Sequence, residues 1–228
     1  MARRAKPTQS NDVCGGLRVQ YIFIQLKYMS SNIMRIPQAT RFILMYTKQN
    51  ENVGAAARAM KTMGFFDLAL VSPHDPKVLH RNKTIQRASG ATDILKSAKI
   101  YTTLEDALMD NNDNGSEEII CGTGMPVDMF QERSERNYVE PRTFFEQLVN
   151  NNDDTTNHDL GNNDELVRRI AFIFGPEKSG MKQSDMDKCH YMLGIPTNPK
   201  FGSLNLASAV QLIAYDWRMA LGYYDTEC

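Results

Sequence analysis

The stretch "RRIAFIFG" (Arg168–Gly175) constrains the fold more than any other part of this chain. Its apolar run does not alternate with polar residues, so a strand made from it buries both faces. A sheet buried on both faces is a mostly parallel one under helices. "RFILMYT" (Arg41–Thr47) and "DLALVSP" (Asp67–Pro73) are further short apolar runs that predict strands, the second ended by Pro73. "NVGAAARAMKTMGF" (Asn52–Phe65) predicts a helix, with Asn52 as N-cap and Gly64 as the residue that stops it. "KTIQRASGATDILKSA" predicts helical pieces broken at Gly90. "KIYTT" predicts a strand, and "TLEDALMDN" a helix opened by a Thr103 to Asp106 capping box. The strands "EEIICGTG" and "YMLGIP" and the helices "PRTFFEQLVN", "KQSDMDKCH" and "SLNLASAVQLIAYDWRMALGYY" complete the path. Strands alternate with helices throughout, which predicts an α/β fold with helices on both faces of the sheet.

In such sheets ligands bind beyond the carboxyl ends of the strands. The loops "CGTGM", "GPEKSGM" and "PTNPKFGSLN", after Ile120, Phe174 and Ile195, are therefore expected to converge. All are rich in Gly or Pro, and small residues let backbone groups approach a ligand closely. No G-x-G-x-x-G opens a helix after the first strand, and there is no P-loop and no G-x-S-x-G elbow. These absences count against dinucleotide binding, ATP hydrolysis and serine hydrolysis of the familiar kinds. His74, His80, His158 and His190 lie in unlike contexts and receive no role. Cys14, Cys121, Cys189 and Cys228 form no C-x-x-C pair, as expected of free thiols rather than a zinc site, so no metal is assigned. The formal net charge of −1 gives no sign of a nucleic-acid partner, although a local basic patch stays compatible with it.

Residues 1–40 read differently from the body. They hold many arginines and lysines, with Asp12 as the only acid. The alternatives are a poorly ordered extension, a start at Met29 or Met34, or an organelle-targeting leader. The expected location is cytoplasmic, with mitochondrial as the alternative. Residues 41–228 form the expected domain, interrupted by polar tracts at 110–118 and 150–165 that read as surface loops. No apolar run is long enough to span a bilayer, so no membrane association is expected.

Three stretches then narrow the reading. "NENVGAAARAMKTMGF" (Asn50–Phe65), "IFGPEKSGM" (Ile173–Met181) and "IPTNPKFGSLNLASAV" (Ile195–Val210) closely resemble the three ordered motifs of the SPOUT superfamily. The likeness is to its SpoU branch, nearest to TrmJ-like tRNA ribose methyltransferases. It covers about Arg41 to Tyr224. The resemblance implies a parallel sheet whose C-terminal part is tied in a trefoil knot, which periodicity alone does not reveal. It implies S-adenosyl-L-methionine as cofactor, a homodimer with active sites near the subunit interface, and methyl transfer to a ribose 2′-oxygen of RNA. The expected RNA is tRNA. The alternatives are ribosomal RNA, or an RNA-binding homologue without turnover.

By position, the resemblance places catalytic roles on Arg58, Glu177, Ser203 and Asn205. It places cofactor contacts on Thr123, Gly124, Met125, Gly175, Ile195, Gly202, Ser203 and Leu204. Where the TrmJ-like pattern has "GTS", this chain has "GTG", so Gly124 lacks a hydroxyl. A C-terminal extension found in related enzymes does not follow Cys228 in this sequence.

Arg58 and Lys61 are expected to share a helix face beside tiny residues, where an RNA phosphate could approach; the plain alternative is a solvated surface arginine. A guanidinium with a pKa above about 12 is an awkward base. Phosphate anchoring and stabilisation of a developing alkoxide suit Arg58 better. Glu177 could orient Arg58 or a hydroxyl, or could simply sit at a helix N-terminus. Of Ser203 and Asn205, one is expected to cap the last helix and the other to face the ribose. Trp217 and Tyr215 are expected to pack rather than to stack on RNA.

Overall fold

The computed structural model describes residues 39–110, 118–124, 138–153, 169–198 and 200–222. The N-terminal stretch up to residue 38, residues 111–117 and 154–165 of the two polar tracts, and Met125 lie outside the described residues. Seven strands form one sheet: β1 (Thr40–Met45), β2 (Asp67–Val71), β3 (Lys99–Tyr101), β4 (Glu118–Gly124), β5 (Tyr138–Val139), β6 (Arg169–Phe174) and β7 (Tyr191–Gly194). Their order across the sheet is β3-β2-β1-β6-β4-β7-β5, and every pairing is parallel. The helices are α1 (Asn50–Thr62), α2 (Asn82–Ala88), α3 (Thr92–Ser97), α4 (Leu104–Met109), α5 (Pro141–Asp153), α6 (Gln183–Met186) and α7 (Leu206–Ala220).

Burial on both faces explains the unbroken apolar strands. Phe42, Leu44, Phe172 and Phe174 point to one face, where they pack with Val53 and Met60 of α1, Phe145 of α5 and Ile213 and Trp217 of α7. Ile43, Met45, Ala171 and Ile173 point to the other, against Leu104 and Ala107 of α4 and Met186 of α6. Trp217 is buried as expected. Its ring lies 5.2 Å from that of Phe145, and its Nε1 donates to Thr40 Oγ1 at 3.0 Å. Tyr215 is not packed away: it is 42% exposed on the outer side of α7.

The punctuation follows the sequence at most joints. Gly64 stands at φ 82° just past α1, in the left-handed region that glycine enters without penalty. The α2–α3 break falls around Gly90. At α4, Thr103 accepts from the Asp106 amide at 3.1 Å and Asp106 accepts from the Thr103 amide at 3.3 Å, completing the capping box.

Three expectations are corrected. First, Asn52 is not an N-cap. Helix α1 starts two residues earlier, with Gln49 at the cap position, because Glu177 from the β6–α6 loop accepts the Lys48 and Gln49 amides (3.3 and 3.4 Å). Second, the tiny residues of α1 do not form an open face. A Cβ on Gly54 would stand 2.0 Å from the Thr84 carbonyl oxygen, so Gly54 exists to let α1 and α2 touch backbone to backbone. Third, α7 begins at Leu206, so Ser203 and Leu204 belong to the loop before it. The two-residue strand β5 had no signal in the sequence, being too short for any periodicity to register.

Candidate active site

The three small-residue loops do converge. The carboxyl ends of β4, β6 and β7, with the segment leading into α7, enclose a cavity of about 270 Å³. Thr123, Gly124, Gly175, Ile195, Gly202, Ser203 and Leu204 all line it, as does Glu177. Phe174, Met181, Met186 and Leu206 supply its apolar wall. The volume sits near the lower end of small-molecule sites, roughly 300–1,000 Å³. A larger recess of about 380 Å³ lies between the outer sides of α5 and α7, beside the Arg142–Asp216 ion pair. It is away from the strand ends, and none of the expected site residues lines it.

Local chemistry fixes the loops around the cavity. A Cβ on Gly175 would lie 2.5 Å from the Met181 amide nitrogen, so the β6–α6 loop folds back on itself only with glycine there. Thr123 Oγ1 donates to the Ile173 carbonyl at 2.9 Å, which ties β4 to β6 and occupies the hydroxyl hydrogen. His190 Nδ1 accepts the Ile120 amide at 3.0 Å, a bracing contact between β4 and the start of β7.

At the β6 end, three side chains form one hydrogen-bonded line. Asn52 Nδ2 donates to Glu177 Oε1 at 2.9 Å, and Asn205 Nδ2 donates to Asn52 Oδ1 at 2.9 Å. Asn205 Oδ1 then accepts the Ala207 amide at 2.9 Å, capping α7. The line joins three segments far apart in sequence: α1, the β6–α6 loop and the entry to α7. Asn205 is therefore the cap. Ser203, exposed at the cavity and without a hydrogen bond to any described residue, is the hydroxyl left available.

The structure groups Glu177, Ser203 and Asn205 but not Arg58. Arg58 lies six residues beyond Asn52 on α1, about 9 Å along the helix axis at 1.5 Å per residue. Its exposed guanidinium does not line the cavity and makes no ion pair with any described residue. Glu177 thus orients Asn52 and the start of α1 rather than Arg58. Lys61 does not stand free beside Arg58: its ammonium reaches Asp93 Oδ2 at 2.7 Å and the Gly90 carbonyl at 2.9 Å. Two residues that help build this region were not assigned to it from the sequence. Asn52 could have been suspected, because a polar residue three positions into an apolar helix face needs a partner. Tyr138, a wall of the cavity, sits on the unsignalled β5.

With this geometry the chain can be placed among known proteins. Residues 39–215 match the model of the SpoU rRNA Methylase family. The chain belongs to this family. Among its relatives, the tRNA (cytidine/uridine-2′-O-)-methyltransferase TrmJ of Photorhabdus laumondii is 36% identical over 180 residues, which is 79% of this chain and 64% of that protein. The tRNA (cytidine/uridine/adenosine-2′-O-)-methyltransferase TrmJ of Pseudomonas aeruginosa is 34% identical over 184 residues, 79% of this chain and 60% of that protein. A crystal structure of a probable methyltransferase from Bordetella pertussis Tohama I superposes with a TM-score of 0.66 at 32% identity, covering 81% of this chain and 99% of the other. This SpoU-family chain spans less than two thirds of the length of the two TrmJ relatives. No helix among its described residues is long and apolar enough to cross a membrane.

Proposed function

We propose that this protein transfers a methyl group from S-adenosyl-L-methionine to a ribose 2′-oxygen of tRNA. The observation that carries the reading is the Glu177–Asn52–Asn205 line, held beside a glycine-walled cavity at the carboxyl ends of β4, β6 and β7. The residues fit the cofactor. Gly202, Ser203 and Leu204 bring the segment before α7 to the cavity wall, Met181 and Met186 offer polarizable apolar surface, and the Glu177 carboxylate supplies negative potential for a sulfonium. When bound, that cofactor contributes an electrophilic methyl group.

The protein's own residues do the rest. Ser203 offers a free hydroxyl to the incoming ribose. Asn205, pinned at both ends of its amide, fixes where Ser203 stands. Arg58, exposed and without an ion pair to any described residue, anchors an RNA phosphate beside the site. Proton removal falls to the phosphate or to water, since a guanidinium does not readily give up its own proton.

We further propose that the C-terminal segment forms the trefoil knot of the family. Its support is that the chain leaving β7 returns across β4 and β6 to bond Asn205 to Asn52 on α1. A homodimer is proposed on the exposed apolar stripe of α7. Leu212, Tyr215 and Met219 recur at helical spacing on its outer side. The test is methylation of unmodified tRNA and ribosomal RNA by the purified protein, with ribose marks mapped by resistance to alkaline cleavage. A mark on tRNA is expected. A mark on ribosomal RNA alone would move the substrate to the one in the family's description. Cofactor binding with no mark on either RNA would refute the enzymatic reading.

A further inference from the structure

The far end of the cavity is built around a side chain to which no role has been given. Tyr138 sits on β5, the outermost strand, in register with Met192 of β7. Its ring crosses β7 to reach β4. A Cβ on Gly194 would stand 3.1 Å from Tyr138 Cβ and 3.4 Å from its Cδ1, and a Cβ on Gly124 would stand 2.7 Å from its Oη and 2.8 Å from its Cε1. Gly124 and Gly194 are themselves paired across β4 and β7. Two facing glycines therefore form a slot, and the ring fills it from root to tip. Any side chain at position 124 would displace the phenol. The departure from "GTS" to "GTG" thus has a physical partner: the Tyr138 hydroxyl occupies the space where a serine at 124 would begin.

The ring is half-buried and lines the cavity, and its hydroxyl makes no hydrogen bond to a described residue. Burial pushes the phenol pKa up, so the hydroxyl keeps its proton at neutral pH and is a donor. A donor fixed by packing at a cavity wall, with no partner among the described residues, is an open site for an acceptor on a ligand. Which part of the ligand follows from the sheet. Glu177 and Lys178 belong to the β6–α6 loop, whereas the Tyr138 ring runs over Gly194 of β7 and ends against Gly124 of β4. The lining on that side, Thr123, Gly124, Ile195 and Thr197, carries no charge. An uncharged heteroaromatic group suits this end better than an amino-acid zwitterion does.

Resting on the methyltransferase reading above, we propose that Tyr138 is a cofactor-binding residue whose hydroxyl donates to the adenosine end of S-adenosylmethionine, and that Gly124 is the residue that admits it. The test is calorimetry on the full chain with S-adenosylhomocysteine, adenosine and methionine as separate probes. Tyr138→Phe keeps the ring and the fold and removes only the donor. It is expected to weaken S-adenosylhomocysteine and adenosine alike by about fivefold, the usual worth of one neutral hydrogen bond, and to leave methionine unchanged. Gly124→Ser is expected to weaken binding by displacing the ring. Tyr138→Ala with Gly124→Ser is expected to bind better than the sum of the two single losses predicts, because the clash is gone. Wild-type binding with an unchanged Tyr138→Phe variant, or additive losses in the double variant, would overturn this inference alone. A wild-type chain that bound none of the probes, with or without RNA, would overturn the methyltransferase reading as well.

Discussion

Replacing Asn52 with alanine tests the amide line directly. Asn52 is 6% exposed, so its bonds are made largely out of water. The change removes a donor to the Glu177 carboxylate at 2.9 Å and an acceptor for Asn205 Nδ2 at 2.9 Å. A hydrogen bond to a charged group contributes about 1.5–3 kcal/mol and a neutral one about 0.5–1.5. Glu177 keeps only the two long backbone donors, and it is partly solvated, so the low half of the first range applies. Alanine recovers roughly 0.5 kcal/mol through its higher helix propensity. The net expectation is a loss of about 1.5–3 kcal/mol. Urea unfolding followed through Trp217, the single tryptophan and a buried one, reads this out. Asn50→Ala is the control. It lies on the same helical turn, but its side chain makes only a 3.3 Å contact to Asp75, and its loss is expected to stay under about 0.5 kcal/mol. Equal effects of the two substitutions would refute the claim that Asn52 holds the loops together. So would unchanged cofactor affinity in Asn52→Ala, because the line positions two of the three loops.

Other expectations follow from the same contacts. Gly54→Ala puts a methyl 2.0 Å from the Thr84 oxygen and is expected to cost about 3 kcal/mol or more in urea unfolding, whereas Gly90→Ala meets nothing within 4 Å and is expected to stay within about 0.5. Arg58→Ala is expected to lower methylation of tRNA by at least about tenfold with cofactor affinity intact, and Arg58→Lys to retain measurable turnover. Lys61→Ala, which loses an exposed ion pair to Asp93, is expected to change the methylation rate by less than about threefold. The Arg81 guanidinium holds the Asp75 carboxyl at about 2, below its ordinary 3.8. A depressed carboxyl stabilises the fold above its unfolded pKa and loses that contribution as pH falls through the folded one. The stability gap between wild type and Arg81→Ala is therefore expected to be constant above about pH 5 and to close toward about pH 2. A gap that widened in acid would refute the pairing.

Most of the architecture could be read from the chain because double-sided burial leaves an unmistakable mark. No half-exposed strand could carry "RIAFIF", and parallel neighbours follow from that. The cavity's location was legible for a related reason. Gly175 and Gly124 are needed where backbone crowds backbone or an aromatic ring, and such glycines cluster where strands end. What did not show was any contact made between segments distant in sequence. Asn52 looked like a cap because asparagine before an apolar helix usually is one. Its real partners are 125 and 153 residues away. Gly54 meets α2 and Lys61 meets Asp93 for the same reason: these partners come from parts of the chain that no helical wheel contains.

The polarity of the amide line follows from its first member. A carboxylate can only accept, so Glu177 requires Asn52 to turn its Nδ2 toward it. That leaves Oδ1 of Asn52 facing the entry to α7, and Asn205 must answer with its own Nδ2. The Oδ1 of Asn205 is then free for one task, and it takes the Ala207 amide at the head of α7. Each amide is used at both ends, and none can flip without breaking two bonds. One negative charge on the β6–α6 loop thereby sets the direction of a helix cap two side chains away. It also decides which polar group at the loop stays open. Asn205 is occupied and Ser203 is not, so the hydroxyl two residues before the cap is the one that can turn to a substrate. An ion pair in place of Asn52 could join the same segments, but a point charge imposes no such direction.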